Sequence, residues 1–153
     1  MILANGLVIS LGTEWIENDG LEYNKQDCEL KAFDRLSVKL KKSFPRLPIC
    51  IVGDGLYPNQ TVFGICQQNK WEYIITLKDG NLQSVWKEAK SLIPLQKENE
   101  LEITTHKKTE RKTTKHQWVT EINYNGHILN WIKTEEGNKK FTRLAVQVFL
   151  LHL

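Results

Sequence analysis

The run Ile49-Cys50-Ile51-Val52-Gly53, followed at once by Asp54 and Gly55, constrains this chain more than any other stretch. Its length, its β-branched residues and the flanking Pro48 and glycines predict a short strand buried on both faces. The strand ends in Gly53-Asp54-Gly55, which sets one carboxylate just past its C-terminal end. A helix is predicted from about Pro58-Asn59 to Asn69, with Val62, Phe63 and Cys66 on its buried side. A second short apolar run, Glu72 to Leu77, closes in the turn signal Lys78-Asp79-Gly80-Asn81. Strand, helix and strand at this spacing form a βαβ unit, with parallel pairing and a right-handed crossover. In open α/β sheets, ligands and catalytic groups collect outside the strand C-termini. That makes Asp54 a candidate functional carboxylate. Asp between two glycines is also ordinary turn chemistry, and spacing alone leaves both readings open.

The remaining segments frame this unit. Gly6 to Ile16 alternates loosely and predicts one or two antiparallel strands, with Gly12 at a turn or bulge. Glu14, Glu17, Asp19 and Glu22 read as a solvated acidic loop. Asn24 is placed to cap a helix whose apolar stripe is Leu30, Phe33, Leu36, Leu40 and Phe44, stopped by Pro45. Lys31, Arg35, Lys39, Lys41 and Lys42 cover its other faces. A third amphipathic helix is predicted over Leu82 to Leu92, before Pro94.

Beyond it the character shifts. Gln96 to Lys115 is rich in Lys, Glu and Thr and reads as an exposed ribbon or mobile connection, with His106 and His116 as surface histidines. Asn125-Gly126 is a hairpin signal between Gln117–Tyr124 and His127–Thr134. Its apolar face is expected to comprise Trp118, Ile122, Tyr124, Ile128, Trp131 and Ile132. The final run, Leu144 to Leu153, has no capping residue, turn or polar face. It is expected to lie outside the fold as an apolar tail, so that ending the chain after Lys140 would improve solubility.

Composition excludes several classes. The chain has 153 residues, enough for a domain with a real core, and no apolar run of the length a membrane helix needs. Three cysteines, Cys28, Cys50 and Cys66, lack metal-ligand spacing and suit reduced thiols in a cytoplasmic protein. The net charge of +3 permits a polyanionic partner without requiring one. No Gly-rich phosphate loop follows a strand, which disfavours a nucleotide-binding domain.

The segment Leu47 to Lys78, LPICIVGDGLYPNQTVFGICQQNKWEYIITLK, resembles the middle of bacterial insertion-sequence transposases of the DDE type. TEWIEN at Thr13 to Asn18, KQDCELKAFDRL at Lys25 to Leu36 and SVWKE at Ser84 to Glu88 recur in the same order, and the likeness covers roughly residues 6 to 140. The resemblance implies an α/β fold: a ribonuclease-H-like mixed sheet with flanking helices and a β-hairpin insertion, incomplete at both ends. Residues 1–95 would be the partial catalytic core, 96–140 a β-rich insertion with a basic connection, and 141–153 the apolar tail. It further implies three carboxylates holding two Mg²⁺ or Mn²⁺ ions for in-line attack on a phosphodiester. Asp54 matches the second acid, as catalytic residue and metal ligand. The first belongs on a strand before Gly6, yet no Asp or Glu lies between Met1 and Thr13; the third belongs on a helix after the insertion, where this chain carries LAVQVFLLHL. Glu14 and Glu17 fall off the first strand and are poor substitutes.

The expectation is therefore a transposase fragment by descent, with family chemistry of DNA cleavage and strand transfer and no catalysis by this chain alone. The alternative is a non-catalytic DNA-binding or regulatory remnant that associates with an intact transposase or with itself. DNA contacts would fall to Lys39, Lys41, Lys42, Lys107, Lys108, Arg111 and Lys112.

Overall fold

A computed structural model of the protein describes residues 8–16, 25–107, 110–137 and 139–145, with the side chains of 25–28, 106, 107, 110, 111 and 139 left aside. The chain divides into two compact units, Met1–Pro48 and Ile49–Leu153.

The first unit is built on α1, Lys25–Ser43. Its last turn carries Lys41 and Lys42, which complement the negative end of the helix dipole. Ala32, Phe33 and Ser37 are buried, and the Ser37 hydroxyl donates to the Asp34 carbonyl at 2.7 Å. The strands expected over Gly6 to Ile16 do not form in the described part. Residues 9–16 have no regular secondary structure and Val8 makes a single bridge. Side-chain contacts with α1 take the place of a ladder. Glu14 accepts from Arg35 Nε at 2.7 Å and from Lys39 Nζ, while Arg35 also donates to the Trp15 carbonyl. Glu14 is thus a clamp on the helix, not part of a solvated loop, and its two hydrogen-bonded cations hold its carboxyl below the ordinary range. Glu17, Asp19, Glu22 and the capping Asn24 lie outside the described residues.

In the second unit β1 (Cys50–Gly53), α2 (Gln60–Asn69), β2 (Glu72–Thr76) and α3 (Gln83–Leu92) follow the predicted order. They are succeeded by β3 (Glu100–Lys107), β4 (Glu110–Tyr124), β5 (His127–Glu136) and β6 (Lys139–Ala145). β1 and β2 pair in parallel, Cys50 opposite Glu72 through Gly53 opposite Ile75. Asn59 caps α2 by accepting the Val62 N–H at 3.0 Å. Asn125 and Gly126 both adopt positive φ, the conformation a tight hairpin turn requires, and join β4 to β5 as their sequence demands.

The six strands form one mixed sheet in the order β1-β2-β6-β5-β4-β3. The hairpin is therefore continuous with the Asp54 strands and does not stand apart as an insertion. The joint is β6, antiparallel to both β2 and β5. Leu144 and Ala145, expected in a loose tail, are buried at its centre. The tail beyond them lies outside the described residues. Register explains why β6 is held. Ile75, Leu144, Trp131 and Val119 lie opposite one another in one row across four strands, each no more than 1% exposed. The helices cover this face: Phe63 of α2 stacks on Tyr73 at 5.2 Å, and Trp86 of α3 meets Trp131 edge-on at 5.8 Å.

A bulge corrects the expected hairpin face. The β4–β5 register shifts between Val119 and Ile122, where Glu121 has φ 63° and its N–H donates to the buried Asn130 Oδ1 at 3.2 Å. Side chains three apart on a regular strand point to opposite faces, and the extra residue turns Val119 and Ile122 to the same one. The core is thus Val119, Ile122, Leu129 and Trp131, whereas Trp118 is half-buried and Ile128 is exposed. β1 also departs from expectation. It ends the strand order, with Cys50 and Val52 exposed, so it is not a strand buried on both faces. Among the described residues, no helix is long and apolar enough to cross a membrane.

Candidate functional site

Parallel pairing brings the C-terminal ends of β1 and β2 side by side, so the loops that follow them face the same end of the sheet. Asp54 begins the first loop. Its Oδ1 accepts the Leu56 N–H at 2.9 Å and its carbonyl accepts the Tyr57 N–H at 3.2 Å, which makes a tight Asx turn. The structural role left open by spacing is therefore real. The side chain nonetheless remains exposed at the strand end, where a functional carboxylate would stand.

The second loop locks onto the first. Asn81 Nδ2 donates to the Gly55 carbonyl at 2.6 Å, and the Lys78 methylenes lie across Gly55 so closely that a Cβ there would sit 2.4 to 2.7 Å from them. Gly55 is buried, and a Cβ there would have to displace the Lys78 side chain from across the first loop. Leu77 anchors the base: buried itself, it donates its N–H to the Thr142 carbonyl of β6 at 2.8 Å. Sequence reasoning read Lys78-Asp79-Gly80-Asn81 only as a turn and did not join it to Asp54. The parallel pairing of the two runs was the available signal, because it places both ends together.

These residues do not fit a two-metal centre. Among the described residues, no three His, Cys, Asp or Glu side chains converge into a metal-binding group. One oxygen of Asp54 is already committed to the Leu56 N–H. Glu14 is held by two cations, and Glu17 lies outside the described residues. Cys50 and Cys66, the cysteines whose side chains are described, are not activated nucleophiles. Burial pushes the Cys66 thiol up to about 12, and desolvation with the Glu72 carboxylate beside it raises Cys50. His116 Nδ1 lies 3.1 Å from Thr134 Oγ1, inside the sheet framework.

The basic residues proposed for DNA fall in both units. On α1, Lys31, Arg35, Lys39 and Lys42 follow one another at spacings of four, four and three, a single exposed stripe, with Lys41 half-buried beside it. Glu14 engages Arg35 and Lys39 within that stripe. On the β3–β4 ribbon, Lys112 pairs with Glu136 at 2.7 Å and Lys115 with Glu102 at 3.2 Å, so part of the positive charge is balanced internally. The side chains of Lys107 and Arg111, and all of Lys108, lie outside what is described. Comparison with protein-family models and with curated proteins finds no match to this chain.

Proposed function

We propose that this chain carries the central part of a DDE-type transposase catalytic domain, of ribonuclease-H-like fold, in which Asp54 is one of the acids of the family's metal-dependent DNA cleavage and strand transfer. The supporting observation is an exposed Asp54 at the C-terminal end of β1, a strand joined to parallel β2 through α2. The order of the sequence blocks TEWIEN, KQDCELKAFDRL, LPICIVGDGLYPNQ and SVWKE supports the same reading. In this reading Asp54 alone does not hold two Mg²⁺ or Mn²⁺ ions in register with attacking and leaving oxygens, so the chain does not catalyse by itself. The loop clasp at Gly55 would fix the height of Asp54 relative to the sheet end.

A second reading, a non-catalytic DNA-binding or regulatory remnant, draws support from the stripe along α1. Exposed cations repeating along one helix face can neutralise phosphates, although Arg35 and Lys39 of this stripe also pair with Glu14. Both readings expect weak, sequence-independent binding to duplex DNA. If binding neutralises about four phosphates, affinity falls roughly 100-fold for a fourfold rise in salt. Titration of a labelled duplex at two salt concentrations measures this. Replacing Lys39 and Lys42 with Gln is expected to weaken binding and flatten the salt slope. Affinity indifferent to salt, or no binding at low salt, contradicts the assignment of these cations to DNA.

A further inference from the structure

We infer that β3 is a self-pairing edge, through which two copies of this chain join antiparallel into one continuous sheet. β3 ends the strand order, with β4 on one side and no described strand on the other. The Trp118 N–H donates to the Asn99 carbonyl at 3.1 Å, in line with the β3–β4 register. Backbone groups of an antiparallel strand alternate between its two sides. Leu101, Ile103 and Thr105 therefore bond β4, and the N–H and C=O groups of Glu100, Glu102, Thr104 and His106 point to the open edge. A row of unpaired strand groups is a template for another strand.

The occupant follows from the charge order along the strand. Glu98, Glu100 and Glu102 fall in or just before its first half, and His106 and Lys107 close its second. A copy laid antiparallel sets each acidic half against a basic half, whereas a parallel copy would set like against like. The pairing is isologous, as two-fold symmetry requires. Outward groups must meet outward groups, which admits a register with Ile103 facing its own copy on the axis. Glu102 then lies opposite the partner's Thr104 and Glu100 opposite the partner's His106. Edge strands are commonly blocked by a proline or a bulge. β3 has neither, and its register with β4 is unbroken over eight residues. Its charge order suits an antiparallel copy of itself.

The test is sedimentation of the full chain over a wide concentration range, with hydrogen exchange on the concentrated sample. A concentration-dependent dimer is expected, with the Glu100, Glu102, Thr104 and His106 amides protected only in the dimer. Thr104→Pro removes an outward N–H without touching a β3–β4 backbone bond, and deletes two interchain bonds per dimer. It is expected to weaken association by about tenfold or more. Glu98→Lys with Glu100→Lys, which changes exposed side chains only, is expected to abolish the homodimer. Lys107→Glu with Lys108→Glu is expected to do the same, and mixing the two variants to restore a heterodimer. A parent that stays monomeric at millimolar concentration overturns the inference. So does a dimer that survives these changes or is protected elsewhere.

Discussion

A chain ended after Lys140 is expected to lose cooperative unfolding of the sheet unit altogether. Five residues of β6, Phe141 to Ala145, would go, and with them all three β2–β6 pairs and five of the seven β5–β6 pairs, which together join β2 to the hairpin. Leu144 leaves a row in which Ile75, Trp131 and Val119 are each almost wholly buried. Losing the Leu144 side chain alone costs about 2–5 kcal/mol, against a total stability of about 5–15 kcal/mol for a domain of this size. Removing the strand also strips partners from backbone groups of β2 and β5 on either side. A milder variant separates strand loss from side-chain loss. Leu144→Ala is expected to keep a cooperative transition at a lower midpoint, and the truncation to give none by circular dichroism. A truncated chain that melts as the parent does would return β6 to the status of a dispensable tail.

Trp131→Ala is expected to lower the melting temperature by roughly 10–20 °C, the consequence of an aromatic-to-alanine loss of about 3–5 kcal/mol. Trp131 is 1% exposed, lies between Leu144 and Val119 in the row and receives the edge of Trp86 from α3. It therefore joins the hairpin to the helix layer as well as to β6. Trp131→Phe keeps a ring in the row, and the indole N–H it removes has no acceptor among the described residues. The Phe variant is expected to lose less than half of what the Ala variant loses. Equal losses would mean that the larger indole, not the presence of a ring, holds α3 on the sheet. Differential melts of the three proteins decide between these.

The order of the βαβ unit and the β4–β5 turn were legible because their signals are local. The apolar runs fall in β1 and β2, Asn59 caps α2, and Asn125-Gly126 makes the hairpin turn, although the burial of β1 was overestimated. β6 was not legible, because its pattern is inverted where it begins. Phe141 is 43% exposed while Thr142 is buried, so apolar character does not report the covered face. The ribbon over Gln96 to Lys115 was read only as an alternative to a mobile connection, for another reason. β3 and β4 are held by backbone pairing and by contacts such as Thr104 with Thr113 and Lys115 with Glu102, none of which leaves an apolar alternation. At the bulge, the parity that named Trp118 as a core residue was right for a regular strand and wrong once Glu121 took a positive φ. Asp54 could be placed at its strand end from sequence alone. The clasp at Gly55 was missed because it joins loops more than twenty residues apart, which only the parallel pairing of β1 and β2 brings together.

The most direct test of the assignment of Asp54 to an incomplete DDE site is a paired nicking assay on supercoiled DNA with Mg²⁺ and with Mn²⁺, comparing the parent with Asp54→Asn. Asn retains a side-chain oxygen for the Leu56 N–H, so the turn is preserved and both proteins are expected to melt alike. The expected result is no metal-dependent nicking by either protein. Metal-dependent nicking by the parent that disappears in Asp54→Asn would contradict the account, by showing that the chain completes a catalytic site around Asp54 on its own.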